Sequence, residues 1–349
     1  MDKELKQLIK KNVKFIDLRS EKEFRKGSIP NAVNIPILTS DEYESVGIEY
    51  KLYGKTAAIK LGHKLVSGDV KKERVKDWCT FINKNPKTKI FCHRGGMRSK
   101  IALEWINQTK TITSAISGGY KRFRRLCLGV VKSSNISYKN WIILGGYTGS
   151  GKTEFIKAYN SMIDLEDLAN HRGSAFGKKS SSQPTAANFE NSLAFHYLRN
   201  FSKWLLLEDE SRLIGKNLLH ELWYQKMQKS KLVILETKLK DRVDNIYREY
   251  IYLPIKKGKS IDLLKLNMIN SLSKIQKRLG GKRYKEINAM MEKSFNTNEK
   301  ERYKNWIRKI LVYYYDPLYK YKMEKRKEYI SFKGNKKEAA NYLKDIGVN

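Results

Sequence analysis

WIILGGYTGSGKT, residues 141–153, decides how this chain has to be read. Trp141 to Leu144 is a short apolar run of strand type, residues 146–153 fit the pattern GxxxxGKT, and the helical stretch TEFIKAYN follows. Strand, glycine-rich turn and helix in that order make a phosphate-binding loop. Its glycines let backbone amides converge on a diphosphate, Lys152 neutralises the oxygens, and the Thr153 hydroxyl is placed for Mg²⁺. The candidate diphosphate-binding residues are therefore Gly146, Gly149, Ser150, Gly151, Lys152 and Thr153. The loop does not by itself select between a nucleotide and another diphosphate.

Downstream, a short strand is expected around Met162 to Leu165 and a long helix from about Ala187 to Lys203, followed by the strands WLLLED and KLVILE (231–236). Strands alternating with helices imply a parallel α/β sheet. The run WLLLEDE (204–210) ends in acids where a phosphate-loop protein holds a metal-orienting carboxylate, so Glu208 and Asp209 are the candidate acidic partners. HRGSAFGKKSSSQPTAANFE (171–190) has the Ser, Gly and Pro content of a substrate-covering loop. Beyond about residue 255 strands are expected to stop. The remainder reads as helices carrying 25 Lys and Arg against 10 Asp and Glu, with Trp306 and Tyr313 to Tyr315 interleaved. Such a tail suits contact with phosphate backbones.

Upstream lies another strand and helix alternation. VKFIDL (13–18) reads as a strand, RSEKEF as a helical turn, and the Gly and Pro of GSIPNAVNIP (27–36) argue against regular structure. Helical patterns cover residues 47–66, 75–82 and about 98–106, and KIFC (89–92) and TITSAI (111–116) supply further strands. The polar stretch KSSNISYKN (132–140) separates the two alternations, with a boundary near residue 135. The expected domains are residues 1–134, 135–255 and a basic helical region, 256–349.

Within the first of these, Cys92 ends a strand and opens the loop FCHRGGMRS (91–99). Gly95 and Gly96 allow successive amides to turn inward as a nest, and the helix behind them presents its N-terminus to the same point. With Arg94, Arg98 and Ser99 completing the anion loop, the setting favours a nucleophilic thiolate at Cys92. Cys79, in DWCTFI, and Cys127 lack such surroundings and read as ordinary core residues.

Composition sets outer limits. The net charge of +35, from 71 Lys and Arg against 36 Asp and Glu, points to a polyanionic partner, nucleic acid first. Abundant Lys, Asn, Ile and Tyr also fit a compositional bias, so the charge is suggestive rather than decisive. Three unpaired cysteines speak against a disulfide framework and against a zinc site. The N-terminus MDKELKQLIK has no apolar core of signal-peptide length, and no stretch approaches a membrane span, so a cytoplasmic protein is expected.

DLRSEKEFRKGSIPNAVNIP, FCHRGGMRS and SGGYKRFR resemble the successive motifs of the rhodanese superfamily and cover about residues 10–130. That resemblance implies a loop cysteine carrying sulfur as a persulfide. The spacing CxxxxxR from Cys92 to Arg98 also matches the longer loop of rhodanese-related phosphatases. Sulfurtransferase and phosphatase chemistry, with a regulatory phosphate loop, are thus the alternatives.

A rhodanese-like domain followed by a phosphate-loop domain resembles one family, the bacterial tRNA 2-selenouridine synthases. LGHKLVSG (61–68), DLEDLANHRGSAFG (164–177), QPTAANFEN (183–191) and EDESRLIG (208–215) look like its further blocks, in order. The resemblance implies an α/β protein: a rhodanese-like parallel sheet, a P-loop NTPase-like α/β domain and a basic helical C-terminal region contacting tRNA. It implies replacement of the sulfur of wobble 2-thiouridine by selenium from selenophosphate, through an S-geranyl intermediate made from geranyl diphosphate. Cys92 would then serve selenation, and the residues of the glycine-rich loop would bind the diphosphate of the geranyl donor, with Mg²⁺ at Thr153. Arg172, Ser211 and Arg212, in the HRGS and ESR blocks, would contact substrate. An enzyme that produces selenophosphate is an implied partner.

Overall fold

The computed structural model describes residues 2–133, 139–179 and 181–348, so the expected boundary near residue 135 lies outside the described residues. The chain forms two compact units: Met1–Ser133 joined by Pro184–Arg199, and Ser134–Gln183 joined by Asn200–Asn349. Each unit is built on its own parallel α/β sheet. Among the described residues, no helix is long and apolar enough to cross a membrane.

The first unit is built on four parallel strands: β1 (Phe15–Asp17), β2 (Ala32–Asn34), β3 (Lys89–Phe91) and β4 (Ser114–Ala115), in the order β2-β1-β3-β4. β1 and β3 are central and apolar because both of their faces are covered by helices. Phe15, Phe91 and Phe123 meet edge-on or tilted at 5.2 to 6.3 Å, and Phe195 joins them from helix Ala186–Arg199. That helix was expected within the second alternation. It groups instead with the first unit, where Arg124 donates to Asn191 at 2.9 Å and pairs with Glu190. β2 also departs from expectation, since GSIPNAVNIP was read as irregular. Pro30 and Pro36 flank the paired residues without entering them, and an edge strand needs only one partner.

Helix Ser40–Leu65 starts at a capping box in which Thr39 accepts from Glu42 and Glu42 accepts from Thr39. It is interrupted at Gly54, whose φ of 81° lies in the region glycine tolerates without side-chain strain. Helix Gly68–Lys84 packs next to it, with Trp78 stacked on Trp105 of helix Met97–Asn107 at 6.2 Å.

The second unit holds a five-stranded parallel sheet of β5 (Asn140–Gly145), β6 (Met162–Ile163), β7 (Trp204–Glu208), β10 (Lys231–Leu235) and β11 (Ile330–Gly334). The small hairpin β8 (Leu213–Ile214) and β9 (Asn217–Leu218) lies apart from it. Strand order is β11-β10-β5-β7-β6, so the chain leaves β5 at the centre, where neighbours on either side come from later crossovers. A crevice at the carboxyl end of such a strand is the usual ligand position in open α/β sheets. β11 corrects the expectation that strands end near residue 255. It pairs parallel with β10, but its half-exposed ISFKG lies among lysines and carries no apolar run to announce it.

The C-terminal helices Ile261–Leu279, Gly281–Thr297 and Lys300–Ile310 bury Leu272, Ile287, Met291 and Tyr303 in a core of their own. Their apolar faces make them part of a packed body, with lysines on the outer side. Two π-helical turns, Arg248–Tyr252 and Leu311–Tyr315, sit in the same body.

Candidate active site

Cys92 follows β3 directly and is only 3% exposed. Its carbonyl accepts from the Tyr120 amide, and that of His93 accepts from Lys121, both at 2.9 Å. The cysteine loop is thereby tied to the start of helix Gly119–Ser133. Close approach explains the paired glycines of the SGGY block. Gly119 has φ of 49°, and a Cβ there would fall 2.1 Å from the Cys92 carbonyl oxygen. Gly95, with φ of 66°, likewise approaches the Gly118 amide within 2.7 Å of where its own Cβ would be. No larger residue fits at either position without moving the loop.

At the far end of the same loop, Ser99 is buried and its Oγ has no hydrogen-bond partner among the described residues. An orphaned hydroxyl in an anion loop is a donor waiting for an acceptor. Arg98 is already committed: it grips Glu23 through Nη1 at 2.5 Å and Nη2 at 3.1 Å, and its guanidinium lies 4.7 Å from the Tyr43 ring centre. Arg94 is exposed. Burial lowers the His93 pKa below the ordinary imidazole value; Glu23 opposes the shift and three arginines reinforce it. His93 is thus neutral at physiological pH.

The second site lies after β5. Gly146, Gly149 and Gly151 have φ of 137°, 83° and 78°, and Cβ atoms at the first two would meet the Leu235 and Arg242 carbonyl oxygens at 2.7 Å. Lys152 opens the short helix Lys152–Ile156 and turns back over the loop, donating to the Gly146 carbonyl at 3.1 Å and the Tyr147 carbonyl at 3.3 Å. Arg242 and Asn245 hold the outside of the turn, donating to the Thr148 and Gly149 carbonyls at 2.9 and 2.8 Å. Ser150 is buried, and its Oγ is without a partner among the described residues.

A cavity of about 420 Å³ opens beside this turn, with Lys152, Thr153, Arg172 and Glu208 among its walls. Of the two acids at the end of β7, Glu208 lines it, whereas Asp209 is bound by Arg326 at 2.5 Å. Arg172 lies 4.6 Å from the centre of the Tyr250 ring. Ser211 and Arg212 are not among the lining residues. Ser211 accepts from Lys322 at 3.2 Å, and Arg212 pairs with Glu221 at 2.5 Å.

Sequence reading missed Glu166, Glu210 and Tyr319, which line the same cavity. Glu166 is pushed up to about 9 by burial first and by the Glu210 and Glu208 charges second. Glu210 is pushed up to about 7 by burial and then Glu208. Burial raises Glu208 as well, opposed by Lys152 and the Thr153 hydroxyl. Three carboxyl groups around one lysine make a site that exchanges protons readily and accepts cations. No cluster of three or more His, Cys, Asp or Glu among the described residues is arranged to hold a metal by itself. Glu208 Oε1 is nevertheless buried without a partner among the described residues. This fits a Mg²⁺ held through one carboxylate and a hydroxyl together with a ligand's phosphate oxygens.

Residues 139–347 match the family profile described as tRNA 2-selenouridine synthase AAA domain, and residues 1–126 that described as rhodanese-like domain. The tRNA 2-selenouridine synthase of Sulfurovum sp. (strain NBC37-1) is 39% identical, over 98% of this chain and 97% of its own. That of Shewanella sp. (strain ANA-3) is also 39% identical, over 94% of this chain and 93% of its own. One solved structure, the N-terminal domain of a putative ATP/GTP binding protein from Clostridium difficile 630, shares 32% identity over 33% of this chain and 89% of its own, with a TM-score of 0.30.

Proposed function

This chain belongs to the tRNA 2-selenouridine synthase family, and we propose on that basis that it converts wobble 2-thiouridine of tRNA to 2-selenouridine in two steps. The observation that carries the proposal is the presence of two intact anion cradles in one chain, the Cys92 loop and the Gly146–Thr153 turn.

In the first step the thiouridine sulfur attacks the allylic carbon of geranyl diphosphate. The carbon–oxygen bond breaks, diphosphate departs, and the base loses its N3 proton. Lys152 and the loop amides take up the charge that develops on the leaving diphosphate. Thr153 and Glu208 would hold Mg²⁺ with the diphosphate oxygens, where it supplies further charge stabilisation. Thr148, Ser174, Ile246 and Tyr250 also border an apolar slot whose far side is formed by Trp306 and Ile310. That slot has a volume of only about 30 Å³ in the ligand-free fold, so a hydrocarbon tail reaching it from the diphosphate cavity would have to widen it.

In the second step the selenium of selenophosphate attacks C2 of the alkylated base and the carbon–sulfur bond breaks. Geranyl thiol leaves with a proton, and water then takes the phosphoryl group from selenium. Ser99 and the loop amides are suited to hold the phosphoryl oxygens, and Cys92 serves selenium delivery. Selenophosphate is supplied by a separate enzyme, and the reaction belongs to the cytoplasm, where tRNA is found.

The test is mass spectrometry of wobble nucleosides after incubating the protein with thiouridine tRNA, geranyl diphosphate and selenophosphate. S-geranyl-2-thiouridine is expected when selenophosphate is withheld, and 2-selenouridine when both are present. Unchanged thiouridine refutes the reading. Aryl phosphate hydrolysis or cyanide thiolation without any tRNA dependence would replace it with phosphatase or sulfurtransferase chemistry.

A further inference from the structure

The first unit contains a cavity of about 490 Å³ that the chemistry of the Cys92 loop does not explain. Val46, Ala58 and Ile59 of the interrupted helix form one wall, and Met97, Ile101 and Trp105 form another. Its size falls within the range of roughly 300 to 1,000 Å³ usual for small-molecule sites. The lining is overwhelmingly hydrocarbon. Three basic residues also border it: Arg98, neutralised by both Glu23 oxygens at 2.5 and 3.1 Å, together with Lys55 and His63. Selenophosphate, phosphate esters and other small anions would lose more hydration against such a lining than the solvent-exposed Lys55 returns. Its ligand is apolar.

We propose that this cavity holds the hydrocarbon chain carried on the sulfur of the alkylated base during its second reaction. The inference rests on the two-step reading above. Met97 and Arg98 belong at once to the cavity wall and to the end of the loop that starts at Cys92, so the two spaces share a boundary. A base presented to the loop through C2 carries its S-alkyl chain on the atom next to the reacting carbon. That chain needs shelter from water within a few bonds of the loop. Apolar surface continues past the cavity along the interrupted helix, where Tyr50, Leu52 and Tyr53 are exposed. Binding energy from the chain then recruits the alkylated base in preference to the unmodified thiouridine, which would give the order of the two steps a structural origin.

The experiment uses the full-length protein and short anticodon stem-loop RNAs whose wobble thiouridine carries S-methyl, S-dimethylallyl or S-geranyl, with selenophosphate supplied. For the unaltered protein, KM is expected to fall by about tenfold or more from methyl to geranyl, since each buried methylene adds affinity. Filling the cavity by Ala58→Phe, or from the opposite wall by Ile101→Phe, should raise the KM for the S-geranyl RNA about tenfold. Geranylation of thiouridine RNA by the same preparations should be retained. A flat dependence on chain length in the unaltered protein overturns the assignment without any variant. So does an S-geranyl KM that both substitutions leave unchanged. An unaltered protein that neither makes nor consumes S-geranyl RNA is a different result, refuting the two-step reading and the cavity assignment with it.

Discussion

Glu23 accepts two hydrogen bonds from Arg98, at 2.5 and 3.1 Å, while its carboxylate also accepts from the Ser20 amide at 3.1 Å as the third residue of a capping box. One carboxylate thus fastens the end of the cysteine loop to the first helix after β1. Burial pushes the Glu23 pKa up, but the Arg98 hydrogen bonds and charge outweigh it and hold the group below its ordinary value. A depressed acid contributes stability above its unfolded pKa and loses it as pH falls through the folded one. Glu23→Gln should therefore cost about 2 kcal/mol at neutral pH and little in acid, where the native carboxylate is protonated too. Thermal unfolding from pH 7 down to pH 3 checks it; equal losses at both ends would show that the charge is immaterial.

Cys92→Ser should abolish conversion of S-geranyl RNA to selenouridine, by about 10³-fold or more, while geranylation of thiouridine RNA continues. Accumulation of S-geranyl nucleoside, quantified by mass spectrometry, is the signature. Selenation at the normal rate would remove the thiol from the reaction.

Lys152→Ala should produce the opposite pattern. Loss of the cation that meets the leaving diphosphate is expected to slow geranylation by about 10²- to 10³-fold. Selenation of RNA supplied already geranylated should survive. If both reactions fail together, the assignment of one step to each cradle is wrong.

Gly119→Ala adds a methyl group 2.1 Å from the Cys92 carbonyl oxygen at a positive φ. It should lower stability by about 1 to 3 kcal/mol and displace the loop. Chemical denaturation measures the first effect. The second appears as lost selenation with geranylation kept, and a fully active variant would contradict the tight loop described above.

Glu166 is protonated in the ligand-free fold up to about pH 9, as burial and its acidic neighbours require. A raised acid gives stability that is present below the unfolded pKa and is lost as pH rises from there through the folded one. The ligand-free second unit should therefore weaken between about pH 5 and 9. Glu166→Gln should flatten that slope and raise the melting temperature at pH 8.5. Calorimetry on the ligand-free protein decides it, and a slope unchanged by the substitution would place the effect elsewhere.

Both cradles were legible because their residues are contiguous: WIIL before the glycines, KTEF after them, and Cys92 with Gly95, Gly96 and Arg98 in one loop. What escaped depends on distant partners. Glu208 and Asp209 are adjacent acids, and only the packing on either side of β7 sends one to the cavity and the other to Arg326. Glu166 sits in DLEDL, just past the short strand expected at Met162 to Leu165, and only the fold brings Glu208 and Glu210 beside it. β11 carries no strand signal of its own and is defined by the edge of β10. The basic C-terminal region was likewise more than a tail, because Asp316 and Arg326 reach back to Arg242 and Asp209.

The interleaving of the two units has a consequence for biosynthesis. The unit that carries Cys92 lacks helix Ala186–Arg199 until the ribosome has passed the entire glycine-rich loop, and the sheet around that loop lacks its edge until residues 330–334 emerge. Neither half can close in the order in which it is written. Each nascent half must hold an apolar face open in turn, first Phe123 waiting for Phe195 and later β10 waiting for β11. Translation arrest between residues 200 and 330 would leave a chain whose first catalytic unit is finished and whose second is not.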